Sequence, residues 1–206
     1  MANPTAPTRM HPLRRALILW GTLIALMWLI LIIDIVLPAH LTNFGIHPRS
    51  TEGLFPGIPA APLLHAGAPH LISNTIPLAV MGTIAALRDW RGMWIALACS
   101  LVVSGLGVWL LSPAWSVTVG ASGVAFGLFG YLIARGVFIR SIADILISVL
   151  IVIVYGSLIW GILPSHPHVS WQAHLFGFIG GILAAFATAK AAKAAKAARS
   201  AASPVA

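Results

Sequence analysis

Long apolar runs separated by short polar connectors make up most of the chain. Six such runs cover residues 16–37, 70–87, 92–111, 120–134, 142–163 and 171–189. None shows the strict alternation of a half-buried strand, so each predicts a helix. Only helices or a closed barrel satisfy every backbone polar group in lipid. The pattern therefore predicts an all-α membrane protein, a bundle of six transmembrane helices.

The composition supports a lipid environment. Of 206 residues, 59% are hydrophobic and only 8% are charged, which is far less charge than a soluble domain carries. The first apolar run is too long for a signal peptide, so we expect a retained anchor. We predict three parts: a cytoplasmic segment over 1–15, a bundle over 16–189, and a basic tail rich in Ala and Lys over 190–206.

Basic residues lie in the connectors in a pattern that predicts orientation. Twelve Lys and Arg face four Asp and Glu, for a net charge of +8. Six spans place eleven of the twelve on one side: Arg9, Arg14, Arg15, Arg88, Arg91, Arg135, Arg140, Lys190, Lys193, Lys196 and Arg199. Because cytoplasmic loops retain Lys and Arg, both termini are predicted to be cytoplasmic in a plasma membrane. Short basic clusters between apolar runs argue against nucleic-acid binding, and the tail predicts a solvated or lipid-surface helix.

The fourth apolar run is short and opens with a serine between small residues. Over residues 120–134 it would reach only about 22 Å, against a hydrocarbon core of about 30 Å, so we expect protein around it. Its first residues are Gly120, Ala121, Ser122 and Gly123. Free N–H groups at a helix N-terminus favour developing negative charge. The pattern predicts a nucleophile at Ser122, although small residues for helix packing would give the same letters.

The sixth run carries a histidine within its apolar stretch. An ionisable side chain in a membrane span is costly and is a functional candidate by default, so His174 is the predicted base. Its alternative role is a structural histidine bonded to a carbonyl. Gly177 and Gly181 share its helix face and, with Gly123, predict close packing that brings Ser122 to His174.

The second run opens with a histidine and an asparagine four residues apart. His70 and Asn74 therefore share a helix face, and both donate hydrogen bonds without a fixed charge, as an oxyanion site requires. Ser122, His174 and Asn74 all lie two to four residues into parallel runs, hence at one depth. No carboxylate lies near that depth on these runs, which favours a Ser–His dyad and neither metal nor cofactor.

Taken together, these motifs resemble those of the rhomboid family of intramembrane proteases. The matching pieces are His65-x4-His70-x3-Asn74, Gly120-Ala121-Ser122-Gly123 and Ala173-His174-x2-Gly177-x3-Gly181. The resemblance covers roughly residues 16–190. It implies a six-helix bundle with a long first loop, open to water on the outer side.

The resemblance also implies roles for single residues. Ser122 would attack the scissile carbonyl, His174 would relay the proton, and His70, Asn74 and the Ser122 N–H would hold the oxyanion. Substrates would be single-span membrane proteins, cut near the outer end of the span. Two departures stand out: Phe126 replaces a tyrosine that stacks on the histidine, and the first loop lacks a Trp-Arg pair, with Arg49 its nearest match.

Two other functions compete with the protease. One is an inactive rhomboid-like protein that binds membrane proteins, although such a protein would lack the serine or the histidine. The other is a small transporter or channel, which would carry inverted repeats or charges at mid-membrane. The sequence predicts no oligomeric state and no particular substrate, and its low Lys and high Ala and Arg are typical of a GC-rich bacterium.

Overall fold

Six long helices make up most of the described part of the protein, as predicted. A computed structural model describes residues 10–37, 39–164 and 169–202. The helices are α1 (Pro12–Val36), α2 (Ala68–Arg88), α3 (Trp90–Leu111), α4 (Ser122–Ile139), α5 (Ile142–Tyr155) and α6 (Trp171–Ala202). All six, with α5 counted together with the turn that follows it, are long and apolar enough to cross a membrane. The described part of the first loop, residue 37 and residues 39–67, contains short helical turns and no long helix.

Helix α4 lies at the centre of the bundle. In its span 67% of the residues are buried within the protein, against 11–39% for the other five spans. The predicted enclosure by protein is therefore confirmed. The predicted length is wrong, because α4 has 18 residues and so extends for about 27 Å. Its last five residues continue past the expected end at Ala134.

The longer α4 is explained by a charge network at the end of the bundle where α2 finishes. Arg135, expected in a connector, is a buried residue of α4. Its guanidinium donates to Asp89 and Asp144, both at 3.2 Å, and Arg88 binds Asp144 through two hydrogen bonds of 3.1 Å. Because its charge is neutralised inside the protein, Arg135 does not force the helix to end. The same carboxylate ties α2, α4 and α5 together.

Two other boundaries differ from the prediction. The fifth run is not one helix, because α5 ends at Tyr155 and a 3-10 turn over Gly156–Ile162 follows it. Glycine at position 156 weakens the α-helix at that point. The sixth apolar run ends at residue 189, but its helix α6 continues without a break through the basic tail to Ala202, where a helix was expected. The basic segment is thus an exposed extension of the last helix.

The first loop is fixed to the end of α3 by an arginine and a tryptophan that are 60 residues apart in the sequence. The Arg49 guanidinium donates to the carbonyls of Leu110 and Ser112, at 3.1 and 2.9 Å. The Arg49 N–H donates to the Trp109 carbonyl, and the Trp109 indole donates to the Ser50 carbonyl at 2.7 Å. Arginine here satisfies carbonyls that a helix C-terminus leaves free. The first loop has no Trp-Arg pair of its own. Arg49 from the loop and Trp109 from α3 instead hold the loop against the helix.

Replacing this arginine should loosen the loop. Arg49→Gln is expected to destabilise the protein by about 1–2 kcal/mol, because two carbonyls lose a charged donor. The measurement is the thermal unfolding temperature in detergent. Arg91→Gln is the control, since Arg91 is also exposed and the substitution removes the same charge. Equal unfolding temperatures for the two variants would show that the Arg49 contacts do not hold the loop.

Candidate active site

Ser122 is the first residue of α4, two residues after a glycine with a left-handed backbone. Gly120 has φ of +112°, which side chains rarely tolerate. The preceding strand-like segment is fixed by a two-way pairing of Thr118 with Ile46 in the first loop. The Gly120 N–H donates to the Ala61 carbonyl at 2.8 Å. These contacts set the direction in which the chain enters α4.

Glycines hold α4 and α6 in direct backbone contact at the level of Ser122. A side chain at Gly177 would overlap the carbonyl of Gly123, and one at Gly181 would overlap the carbonyl of Gly127. A side chain at Gly123 would lie 3.3 Å from the carbonyl of Ala173. Close approach of this kind requires small residues. It places Gly123, which follows Ser122, against Ala173, which precedes His174.

His174 is held between an aromatic ring and a backbone carbonyl. It is only 9% exposed, and the Phe126 ring lies parallel to it at 4.0 Å between centroids, tilted by 7°. Its Nδ1 lies 2.9 Å from the carbonyl oxygen of Gly161. A carbonyl can only accept, so Nδ1 carries the proton. The second ring nitrogen, Nε2, therefore has a free lone pair.

The expected hydrogen bond between Ser122 and His174 is not formed. Among the residues that the structure describes, the Ser122 hydroxyl has no hydrogen-bond partner. Side chains of unliganded serine enzymes often align only when substrate is bound. The two residues are neighbours through their helices, while their polar atoms are not yet engaged.

Two donors from α2 converge on the chain just before Ser122. A Cβ built on Gly120 would lie 2.6 Å from Nε2 of His70 and 3.7 Å from Nδ2 of Asn74. Asn74 is 4% exposed, and its Nδ2 has no partner among the described residues. The N–H of Ser122 is also free, since the first helical bond of α4 joins Ala125 to Ala121. Donors without partners surround the entry to α4 on the side of α2.

His65 links this group to the backbone of α4. Its Nε2 accepts the N–H of Ala121 at 3.4 Å, and its ring meets that of His70 edge-on at 5.1 Å. Burial, then the nearby charge of His70, lower the pKa of His65 from 6.5 to about 4, against a smaller opposing effect of the Leu63 carbonyl. His65 is therefore neutral at neutral pH, as its role as an acceptor requires.

This depressed pKa predicts a loss of stability in mild acid. The unfolded chain binds a proton at His65 near pH 6.5 and the folded protein only near pH 4. Stability is therefore full above pH 6.5 and falls as the pH drops towards 4. His65→Gln keeps an acceptor that does not titrate, so its unfolding temperature should depend less on pH between 6.5 and 4. Identical pH profiles for wild type and His65→Gln would contradict the assignment.

The arrangement has the parts that acyl transfer needs. It combines a hydroxyl at a helix N-terminus, an imidazole with a free Nε2, and donors without partners beside the hydroxyl. The sequence placed Ser122, His174, His70, Asn74, Gly120, Gly123, Phe126, Gly177 and Gly181 in this region. It did not point to Gly161, whose backbone carbonyl carries no residue-type signal. The ring contact of Phe126 needs no hydroxyl, so this departure from the tyrosine pattern keeps the stacking.

Known proteins with similar sequences share this part of the chain. The sequence profile of the Rhomboid domain matches residues 57–191. An uncharacterized protein of Mycobacterium tuberculosis is 37% identical over 196 residues, covering 89% of this chain and 81% of that protein. The protein YdcA of Bacillus subtilis, described as a candidate rhomboid protease, is 31% identical over 132 residues, covering 60% and 62%. RHOMBOID-like protein 1 of Arabidopsis thaliana is 33% identical over 131 residues, covering 60% and 32%.

The match to the Rhomboid domain includes every residue of the site, α2 to α5 and the first part of α6, up to residue 191. It agrees with the six apolar helices and with the long first loop. The chain is a multi-pass membrane protein and belongs to the rhomboid family.

Proposed function

We propose that this protein is an intramembrane serine endopeptidase. Ser122 is the nucleophile and His174 is its general base, and the substrates are single-span membrane proteins. The family includes proteases and inactive members, so the proposal rests on the site itself. The cut falls near the outer end of the substrate's span. The site lies at the N-terminal ends of α2, α4 and α6, on the side of the bundle where the first loop lies.

The observation that carries this proposal is the unsatisfied amide of Asn74. A buried donor without a partner costs about 1–3 kcal/mol. The described residues contain five buried polar side-chain atoms without a partner, and the amide of Asn74 is the one that lies beside the entry to α4 as a hydrogen-bond donor. The Nδ2 of Asn74 and the ring of His70 both approach Gly120, two residues before the nucleophile. These donors, with the free N–H of Ser122, would stabilise the negative oxygen of a tetrahedral intermediate.

The proton transfers follow from the tautomer of His174. With its proton on Nδ1, the ring accepts the Ser122 proton at Nε2 as the hydroxyl attacks the carbonyl carbon. The same Nε2 then donates that proton to the leaving amine, and the acyl-enzyme is hydrolysed by water activated in the same way. The stacked Phe126 ring keeps the imidazole plane fixed during these steps.

Both termini are proposed to be cytoplasmic, because the connectors at the end of the bundle away from the site carry the basic residues. Trypsin added outside intact cells should then leave the basic tail uncut. Cleavage of the tail by this trypsin would show that the C-terminus lies outside the cell.

The test of the function is cleavage of a panel of single-span proteins in proteoliposomes, with fragments mapped by mass spectrometry. Cuts near one end of the span that Ser122→Ala abolishes would support the protease. Stable binding of panel members without any cut would favour the alternative, an inactive rhomboid-like protein that binds membrane proteins.

A further inference from the structure

The turn that follows α5 touches the imidazole of the proposed base. The last residues of Gly156–Ile162 lie against α6, where the Gly161 carbonyl oxygen is 2.9 Å from Nδ1 of His174. The same residue lies close to the stacked ring, since a Cβ on Gly161 would be 2.9 Å from Cζ of Phe126. Gly161 is thus in contact with both rings of the stack.

We propose that Gly161 is the positioning residue of the catalytic base, with its backbone carbonyl in the place that a carboxylate side chain occupies in a Ser-His-Asp triad. The inference rests on the proposed function, in which His174 acts through Nε2. The carbonyl fixes the proton on Nδ1 and so leaves Nε2 unprotonated and able to accept from Ser122. The chain then needs no third catalytic side chain.

The surroundings of His174 leave the Gly161 carbonyl as the group that selects the tautomer of the ring. Among the described residues, the imidazole ring of His174 makes one hydrogen bond, the one to the Gly161 carbonyl. No polar side chain bonds to the ring in that part of the chain. Stacking on Phe126 fixes the ring plane and leaves the choice of tautomer open. The hydrogen bond to the carbonyl makes that choice. A neutral acceptor also suits a buried site, where an added carboxylate would carry a large desolvation cost.

Glycine at position 161 follows from the same contact. A Cβ there would lie 3.1 Å from Nδ1 of His174 and 2.9 Å from Cζ of Phe126, both tighter than ordinary packing. A methyl group would therefore push the carbonyl and the imidazole apart. Gly156 begins the same turn, and a Cβ there would meet only Cγ1 of Val152, at 3.8 Å. Neither glycine has a positive φ, so alanine suits the backbone at both positions.

These facts define a matched pair of variants. Gly161→Ala should lower kcat by roughly 10- to 10³-fold, less than the loss of about 10⁴ caused by a wrong tautomer in a serine protease, because the carbonyl moves without disappearing. The KM for a single-span substrate should stay close to that of wild type. Gly156→Ala should keep wild-type kcat and KM, since it makes the same change of residue where the new methyl group meets only one atom, at an ordinary contact distance.

Nitrogen NMR of the full chain, labelled with ¹⁵N in the imidazole ring, reads the tautomer directly. The His174 signals are identified by their loss in His174→Asn. Wild type is expected to show the Nδ1–H tautomer at neutral pH, and Gly161→Ala a mixture that includes Nε2–H. This readout needs no activity, so it tests the inference even if the protein proves not to be a protease. If Gly161→Ala fails to fold, Gly161→Ser takes its place, and an Nε2–H tautomer in wild type would still overturn the inference.

Three results would overturn the inference. They are an Nε2–H tautomer in wild type, wild-type kcat in a folded Gly161→Ala, and a fall in kcat with the Nδ1–H tautomer intact. The last of these would assign Gly161 a packing role only.

Discussion

Ser122→Ala and His174→Asn should each lower the rate of substrate cleavage by about 10⁴-fold or more, because a nucleophile and its base act as one unit. The double variant should be no slower than either single variant, for the same reason. The measurement is the initial rate of cleavage in proteoliposomes. Ser122→Ala should keep the unfolding temperature of wild type within a few degrees. His174→Asn should unfold at a lower temperature, because it loses the Phe126 stack and the hydrogen bond to Gly161, so its rate is measured at a temperature where it is folded.

The control for this pair is His40→Asn. His40 lies exposed in the first loop with φ of +49°, a conformation that asparagine tolerates. It should cleave at the wild-type rate. Wild-type turnover by a folded Ser122→Ala would exclude the dyad, whatever the fate of the other variants.

Asn74→Ala should be a slow enzyme and not an inactive one. Loss of one oxyanion donor lowers kcat by about 10²–10³-fold, and the free N–H of Ser122 would remain. Because the contact forms in the transition state, substrate affinity should change little. His70→Ala should behave in the same way, since its ring approaches the same backbone at Gly120.

Ser73→Ala is the matched control on the same helix. Ser73 is exposed, and its hydroxyl donates only to the carbonyl of His70 within α2. It should keep the wild-type kcat. If Asn74→Ala and His70→Ala also keep the wild-type kcat in a stable protein, both are packing residues and the oxyanion depends on backbone donors alone.

The sequence was sufficient to predict six helical spans, although not all of their ends, and it named the residues of the candidate site. Each span carries its own signal, because roughly twenty apolar residues are needed to cross lipid. Orientation then placed Ser122, Asn74 and His174 at one level. The structure brings their neighbours together, with Gly120 beside His70 and Asn74, and Phe126 stacked on His174.

What the sequence did not reveal depends on pairs that are distant along the chain. The predicted end of α4 was wrong because a lone arginine is typical of a connector. The ion pairs of Arg135 with Asp89 and Asp144, which keep it inside the helix, are visible only in the structure. Arg49 fixes the first loop to the end of α3, and nothing in the sequence of either segment indicates that the two are in contact. The acceptor for His174 is a backbone carbonyl, which every residue possesses, so only geometry distinguishes Gly161.

The same pairs explain how the site is held. At one end of the bundle, Asp144 joins three helices through Arg88 and Arg135. At the other end, the first loop is bonded to α3 and to the segment that precedes α4. The glycine contacts of α4 with α6 lie between these two supports. These supports and the glycine contacts hold α4 and α6, which carry Ser122 and His174, side by side.

Reaction with a fluorophosphonate probe tests most directly whether His174 activates Ser122. The purified protein in detergent is incubated with the probe, digested and examined by mass spectrometry. We predict that wild type carries one modification, at Ser122, and that His174→Asn reacts far more slowly while Ser122→Ala does not react. Failure of the folded wild-type protein to react, or equal labelling of Ser122→Ala, would contradict the proposed dyad.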